Sequence, residues 1–508
     1  MDSILIIDYG SQYNQLISRR IREMNVYSEI VPYNQKLDNF KNTIKGVILS
    51  GGPSSVYDDF TPDMNPDIYK LNVPILGICY GMQLLIKDKN GLVKASKKRE
   101  YGKSQIEILE KSILVKNMKQ KSIVWMSHGD HVVEIPEKFK IIAKTESSIA
   151  MLENSEDNIY AVQFHPEVTH TEEGNILLKN FIFDICKVEP DWRYSDFINQ
   201  TVEEIRKTVK NDRVILGLSG GVDSSVAAAL IYKAIGNQLT CIFVDTGLLR
   251  YKEAEEVMSE YKSMPNLNII KIDAQKRFFD SLSGVTDPEE KRKIIGKEFF
   301  EVFESCKSQY SEAKFLAQGT IYPDIIESKS VHGPSATIKS HHNVGGIPLK
   351  HSFEILEPLK YLFKDEVRKV GIKLGLSKEL IYRHPFPGPG LGIRVLGEVT
   401  KERVEILQKA DAIFIEELKK NNLYHKVSQA FITLLPVKTV GVMGDNRTYK
   451  YLCAVRSVNT SDFMTAQISR FSYDFLENVS SRIINEVEEI NRLVYDITSK
   501  PPGTIEWE

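Results

Sequence analysis

Two clusters in the 508-residue chain have the residue types and spacing to do chemistry. The first is Gly77-Ile78-Cys79-Tyr80-Gly81, fed by the apolar Val73-Pro74-Ile75-Leu76 and followed by helix-forming residues from Met82. Gly-x-nucleophile-x-Gly between a strand and a helix is an elbow, here with cysteine as the nucleophile. A lone cysteine elsewhere is usually an inert small hydrophobe. At a helix start its thiol pKa falls and thiolate is favoured, and the flanking glycines permit the sharp turn. A partner base stands far along the chain. The strand Ile159–Phe164 ends in His165-Pro166-Glu167. Pro166 biases His165 toward an extended backbone, so His165 and Glu167 project in similar directions. The carboxylate can then orient the imidazole while the imidazole faces the thiol.

The second cluster is Ser219-Gly220-Gly221-Val222-Asp223-Ser224-Ser225, between apolar Val214–Leu218 and Val226–Ile231. This reads as strand, tight polar loop, helix. The glycines admit positive φ and close approach of backbone amides. Those amides, the serine hydroxyls and the helix start all favour an anion. There is no Walker lysine. The alternative is a plain glycine-rich turn in which Asp223 or Ser224 caps the helix. Gly102-Lys103-Ser104 only mimics the end of a Walker loop, since no glycine stands at position 97 and no strong apolar strand feeds it.

The first cluster resembles the class I glutamine amidotransferases, over residues 1 to 189. The resemblance implies Cys79 as nucleophile, His165 as general base and then acid, and Glu167 as the orienting group. It implies further that the amides of Gly52, in Ser50-Gly51-Gly52-Pro53, and of Tyr80 bind the tetrahedral oxygen. Gln83 would contact glutamine, and Ser127-His128-Gly129-Asp130 would lie near it. The second cluster resembles the pyrophosphate loop of the ATP pyrophosphatases, which makes Asp223 a magnesium-associated carboxylate.

Flanking segments narrow the chemistry. Asp245-Thr246-Gly247-Leu248-Leu249-Arg250, Gly284–Glu289 with Lys291-Arg292-Lys293, Gln318-Gly319-Thr320, His341-His342-Asn343 and the tail Lys500-Pro501-Pro502-Gly503-Thr504-Ile505-Glu506-Trp507-Glu508 together resemble the glutamine-hydrolysing GMP synthetase family. That resemblance implies ATP contacts along Ser219–Ser225, Val244 and Gly319. It implies xanthosine 5′-phosphate (XMP) contacts at Arg250, Lys500 and Glu506, a mobile segment holding His341-His342, magnesium as cofactor and a homodimer. The rivals are another pyrophosphatase-type amidotransferase or thiolase, and a non-catalytic glutamine or nucleotide sensor. Sulfur transfer would want paired cysteines, and Cys241, Cys306 and Cys453 stand far apart. An intact Cys79, His165, Glu167 and Asp223 argue against a sensor.

These residues need a scaffold. Short apolar strands alternate with helices from Ser3 to Leu76 and again from Val214 to Ala317, the pattern of two α/β domains with doubly wound parallel sheets. Arg383-His384-Pro385-Phe386-Pro387-Gly388 marks a boundary, beyond which a small α+β domain is expected. Its elements are a helix at Lys401–Lys420, strands at Ala430–Pro436, Val440–Met443 and Tyr449–Val455 around a turn at Gly444-Asp445-Asn446, and a final helix over Asp474–Asp496. The expected domains are 1–189, 190–383 and 384–508, matching a length prior of about three. A formal charge of −2 gives no electrostatic case for nucleic acid or a membrane surface. Lys97-Lys98-Arg99 and Lys291-Arg292-Lys293 read as solvated faces. Five scattered cysteines form no disulfide framework and fit a reducing cytoplasm. No apolar run reaches membrane-spanning length.

Overall fold

A computed structural model describes residues 2–11, 13–40, 43–58, 61–261, 267–307, 313–329, 353–443, 445–460 and 465–508. The expected mobile segment with His341-His342, and Gln12 and Gly444 of the expected turns, lie outside these residues. The chain divides into two compact units, one built on Met1–Asp196 and the other on Phe197–Asp324 with the chain from 353 onward.

Unit one is organised on a nine-stranded sheet. Its strands are β1 (Ser3–Asp8), β2 (Tyr27–Pro32), β3 (Ile44–Leu49), β4 (Ile75–Ile78), β5 (Leu92–Ile108), β6 (Lys121–Glu134), β7 (Lys140–Lys144), β8 (Ile149–Asn154) and β9 (Ile159–Val162). The order is β2-β1-β3-β4-β9-β8-β7-β5-β6. From β2 to β9 all pairings are parallel. Ile4 to Ile7 are buried without alternation, as in a sheet covered on both faces. Beyond β9 the sheet turns antiparallel, an extension that the sequence reading left unassigned. Its signal was present: Ser122, Val124, Met126 and His128 are buried at period two along β6. Gly102, Lys103 and Ser104 lie inside β5. Trp192, in the expected linker, is buried against Tyr27 and donates its amide to the Asn25 carbonyl, so the linker's start is anchored to unit one.

Unit two carries a five-stranded parallel sheet of β10 (Arg213–Gly217), β11 (Leu239–Asp245), β12 (Asn268–Asp273), β13 (Ala313–Ala317) and β14 (Glu354–Leu356), in the order β12-β11-β10-β13-β14. A smaller sheet follows: β15 (Gln429–Met443), β16 (Asn446–Asn459), β17 (Gln467–Ile468) and β18 (Ile490–Tyr495). The two strands expected at Ala430–Pro436 and Val440–Met443 are one, β15, whose register shifts between Leu434 and Lys438. Pro436 sits at that shift, where a missing amide costs no ladder bond. The expected last helix is shorter: it runs Tyr473–Glu486, and Ile490–Tyr495 is a strand parallel to β16. Its residues alternate between half-buried and exposed from Asn491 to Tyr495, a period-two pattern no amphipathic helix shows. Ile242, Val244 and Leu248 share one apolar core with Leu407, Phe414, Ile432, Val455 and Val479, so both sheets of unit two rest on common hydrophobic contacts. Among the described residues no helix is long and apolar enough to cross a membrane.

Candidate active sites

The helix Tyr80–Asp88 starts directly from β4, and Cys79 at the junction takes φ +52 and ψ −107. The strained residue is therefore the cysteine itself. This corrects the reading that gave the turn to its glycines: neither Gly77 nor Gly81 has positive φ. They are needed for close approach. A Cβ on Gly81 would lie 2.5 Å from the Leu49 carbonyl oxygen, and one on Gly77 2.7 Å from the Gly81 carbonyl. The Cys79 amide donates to Val162 at 2.8 Å and its thiol to the Ser127 carbonyl at 3.6 Å. Strained non-glycine backbone of this kind marks functional positions.

His165 follows β9 by three residues, and its Nδ1 lies 2.7 Å from Glu167 Oε1, both side chains buried. Its backbone is fixed by an amide bond to the Trp125 carbonyl at 3.0 Å and by Thr171, whose hydroxyl donates to the His165 carbonyl at 2.6 Å. Burial alone favours the neutral ring. The Glu167 carboxylate and the adjacent Cys79 sulfur outweigh it and raise the His165 pKa well above 6.5. A Cβ on Gly51 would sit 3.1 Å from His165 Cε1 and 3.7 Å from Cys79 Cβ, so Gly51 lies against both groups. Gly52 packs beside the Tyr80 ring, its hypothetical Cβ 3.4 Å away. Gln83 donates to the Asp130 carbonyl at 3.1 Å and to Gln163 Oε1 at 3.3 Å.

The sequence reading missed what the helix Asn14–Glu23 and the residue before it contribute. Tyr13 packs edge-on to the His165 ring at 5.1 Å, and Arg20 Nε donates to the Glu167 carbonyl at 3.1 Å. No spacing in the sequence ties residues 13 and 20 to 165 and 167.

In unit two the loop joins β10 to the helix Val222–Ile235. Gly220 takes φ +73, and a Cβ there would meet Val257 at 2.7 Å; Gly221 has ordinary φ −78. Gly221 is the helix cap and no side chain caps the first turn, which sets aside the capping alternative for Asp223 and Ser224. Ser219 and Ser224 hydroxyls face each other at 3.0 Å. Ser225 turns inward: its hydroxyl donates to the Gly221 carbonyl at 2.7 Å and accepts from Tyr261 at 2.6 Å, and its amide also binds Gly221. Expected among the outward hydroxyls, Ser225 instead braces the loop from behind. Gly319, after β13, lies against the loop helix, with a hypothetical Cβ 3.1 Å from Asp223 C and Ser224 N. Val244 is buried near the end of β11. Loop, Val244 and Gly319 thus gather at the C-terminal edge of a parallel sheet, where such sheets bind ligands.

Lys364, which the sequence reading did not single out, donates to Asp223 Oδ2 from 141 residues away. The other oxygen, Oδ1, is buried without a protein partner. Arg383 pairs with Glu253 at 3.2 Å and Glu256 at 3.0 Å, and lies 3.8 Å from a hypothetical Gly220 Cβ.

Arg250 stands 3.5 Å from Asp411 and 5.2 Å from the Phe386 ring centre. Its Nε and Nη2 are buried without hydrogen-bond partners. Nearby His384 stacks on Tyr424 at 3.9 Å, and burial pushes its pKa down to about 4. Glu506 receives Arg394 Nε at 3.0 Å, Arg394 Nη2 at 2.8 Å and Gln429 at 2.7 Å. Its carboxylate is thus engaged within the protein. Lys500 exchanges backbone bonds with Ala466 at 2.8 and 3.0 Å. Fully buried Arg456 binds the Thr498, Thr504 and Ile505 carbonyls, and Trp507 donates to Asp496 at 3.0 Å. Lys291 corrects the solvated-face expectation: it is fully buried, bonded to Glu508 and, at 2.8 Å, to the Val395 carbonyl.

Comparison with known proteins covers the whole chain. Residues 5–185 match the family Glutamine amidotransferase class-I, residues 193–284 match NAD synthase, and residues 416–507 match GMP synthase C terminal domain. A Fusobacterium nucleatum subsp. nucleatum protein named GMP synthase (glutamine-hydrolyzing) is 62% identical over 507 residues, covering 99% of each chain. Proteins of the same name from Mesoplasma florum and Brachyspira hyodysenteriae are 58% and 55% identical, covering 99–100% of this chain and 99% of theirs.

Proposed function

The chain belongs to the glutamine-hydrolysing GMP synthases, and from that premise we propose how its residues divide the work. The reaction converts ATP, XMP, glutamine and water to AMP, pyrophosphate, GMP and glutamate. We assign glutamine hydrolysis to residues 1–189, adenylation to 190–383, and XMP binding with dimerisation to 384–508. The observation that carries the glutaminase assignment is the 2.7 Å contact of His165 and Glu167 beside a cysteine at φ +52.

Cys79 thiolate attacks the side-chain carbonyl of glutamine. The Gly52 and Tyr80 amides receive the developing oxyanion, and losing such a donor costs about 3 kcal/mol. His165 gives its proton to the leaving nitrogen, ammonia departs, and a glutamyl thioester remains. The same ring then takes a proton from water, which cleaves the thioester to glutamate. Glu167 holds the ring's orientation throughout. Gln83, its amide hydrogens turned toward Asp130 and Gln163, offers its carbonyl oxygen to the substrate.

In unit two the Ser219–Ser224 loop and the uncapped helix start receive the ATP phosphates, with Ser225 bracing the loop and Val244 and Gly319 bordering the nucleotide. The purine O2 of XMP attacks the α-phosphate and pyrophosphate leaves. Ammonia then adds at C2 and AMP departs, a far better leaving group than the enol-like oxygen. Magnesium fits the site: Asp223 Oδ1 is a buried carboxylate oxygen with no protein partner, and hard oxygen ligands suit this ion, which takes most of its others from phosphates and water. Asp223 would hold it, and bound there it would neutralise charge on the departing pyrophosphate. Arg250, whose Nη2 is buried without a hydrogen-bond partner and whose Nε lies 3.5 Å from Asp411, together with Lys500 and Glu506 of the pinned tail, forms the XMP site. A homodimer is supported by the exposed apolar stripe of Val440, Val442 and Tyr449 on one face of β15 and β16. A reducing cytoplasm is supported by Cys79, Cys186, Cys241 and Cys453, all buried and, among the described residues, free.

The test is direct. Purified protein with XMP, ATP and magnesium should form GMP and pyrophosphate in equal amounts, with either glutamine or ammonium as nitrogen source. No GMP from either source overturns the assignment.

A further inference from the structure

We propose that Glu100, acting through His128, is a positioning residue for glutamine binding. This rests on the reading of Gln83 as a glutamine contact. Glu100 and His128 are direct cross-strand partners on β5 and β6, brought into register by a shift between Ala95 and Glu100. His128 is buried, and its ring spans two acceptors. Nδ1 lies 2.8 Å from the Asp130 carbonyl and Nε2 lies 3.1 Å from Glu100 Oε2. A carbonyl only accepts, so Nδ1 carries hydrogen. The Glu100 contact therefore needs a further proton between Nε2 and the carboxylate.

Glu100 is itself fixed by the turn between β7 and β8. Thr145 donates to Oε1 at 2.9 Å, Ser148 to Oε2 at 2.7 Å, and Ser147 also to Oε1. Three hydroxyls converging on one carboxylate are more than a surface strand pair needs. What lies at the other end explains them. The Asp130 carbonyl accepts from both His128 Nδ1 and Gln83 Nε2. This shared oxygen fixes which way the Gln83 amide points and so aims its carbonyl oxygen. One residue before His128, the Ser127 carbonyl accepts the Cys79 thiol. The chain of contacts thus runs from the 145–148 turn through Glu100, His128 and the Asp130 carbonyl to Gln83. Glu100 touches neither substrate nor nucleophile.

The test uses the full-length enzyme and steady-state GMP formation. Glu100→Ala removes the anchor and should raise KM for glutamine at least tenfold, with kcat for ammonia-dependent synthesis unchanged. Glu100→Gln should stay within about twofold of wild type, because an amide nitrogen in the place of Oε2 can donate to Nε2 of a neutral His128 and to a turned Ser148 hydroxyl, while the carbonyl oxygen still accepts Thr145 and Ser147. A merely structural role would lower glutamine-dependent kcat at constant KM and would not distinguish the two variants. An unchanged KM in Glu100→Ala, or a KM in Glu100→Gln as high as in Glu100→Ala, overturns the proposal. Gln83→Ala is measured in parallel. If its KM for glutamine is unchanged, the reading of Gln83 has failed. If Gln83→Ala raises KM and Glu100→Ala does not, only the positioning role has failed.

Discussion

Glu506 and Arg394 meet through two near-parallel hydrogen bonds of 2.8 and 3.0 Å, although 112 residues separate them. Arg394 is fully buried, and its guanidinium also lies 4.0 Å above the Phe431 ring. Such a fork fixes direction as well as distance. With Arg456 and Lys291 it holds a nine-residue tail, four of whose first five residues are Lys, Pro or Gly, in one conformation.

Removing one partner of a buried pair leaves an uncompensated charge and costs about 3–5 kcal/mol. Glu506→Ala should therefore lower the free energy of unit-two unfolding by an amount in this range, read in urea as a fall in the midpoint at unchanged slope. The double replacement Arg394→Met with Glu506→Leu should recover most of the loss, since no charge is left behind. An unchanged midpoint in the single variant would contradict the account.

The His165–Glu167 contact carries a pH signature. Against the burial that favours the neutral ring, Glu167 and the Cys79 sulfur raise the His165 pKa well above 6.5. A raised folded-state value means that stabilisation is complete below the unfolded value and fades as pH climbs through the folded one. The melting-temperature gap between wild type and Glu167→Gln should be widest near pH 6 and should narrow at alkaline pH. A gap constant from pH 6 to pH 10, measured by calorimetry, would rule this out.

Gly319 leaves little room for a methyl group. A Cβ 3.1 Å from Asp223 C and Ser224 N pushes on backbone, which cannot rotate away, and overpacking of this kind costs about 1–3 kcal/mol. Gly319→Ala should raise KM for ATP roughly tenfold, since each 1.4 kcal/mol is one decade, equally with glutamine and with ammonia. Unchanged ATP kinetics would show that the loop tolerates displacement.

Asp223 and Lys364 should behave as a unit on the synthetase side. Asp223→Asn should suppress pyrophosphate release on the order of a hundredfold while XMP affinity stays near wild type. Lys364→Ala should slow release with either nitrogen source. Normal release from Asp223→Asn, followed by a coupled pyrophosphate assay, would remove Asp223 from the metal role.

Much of this was legible because local motifs carry their own geometry. The run from Gly77 to Gly81 specifies a strand, an elbow and a helix within five residues, and His165-Pro166-Glu167 needs only one proline to align two side chains. What stayed hidden depends on long-range packing. Lys364 reaches Asp223, Arg394 reaches Glu506 and Arg20 reaches Glu167 only because separate elements fold together, and no period or spacing encodes that. Lys291 was misread for the same reason: a basic run on a helix looks solvated until Glu508 arrives to bury it. The strand Ile490–Tyr495 was lost to a neighbouring helix because six residues give too short a window to separate the two periods.

The central claim is that one chain makes ammonia at Cys79 and uses it at a separate adenylating loop. GMP formation by Cys79→Ala, with glutamine and ammonium compared side by side, tests it most directly. Synthesis from glutamine should fall to background while synthesis from ammonium stays within about twofold of wild type, the deletion of a nucleophile alone typically costing several decades. Loss of both activities, or glutamine use that survives without the thiol, would contradict the account.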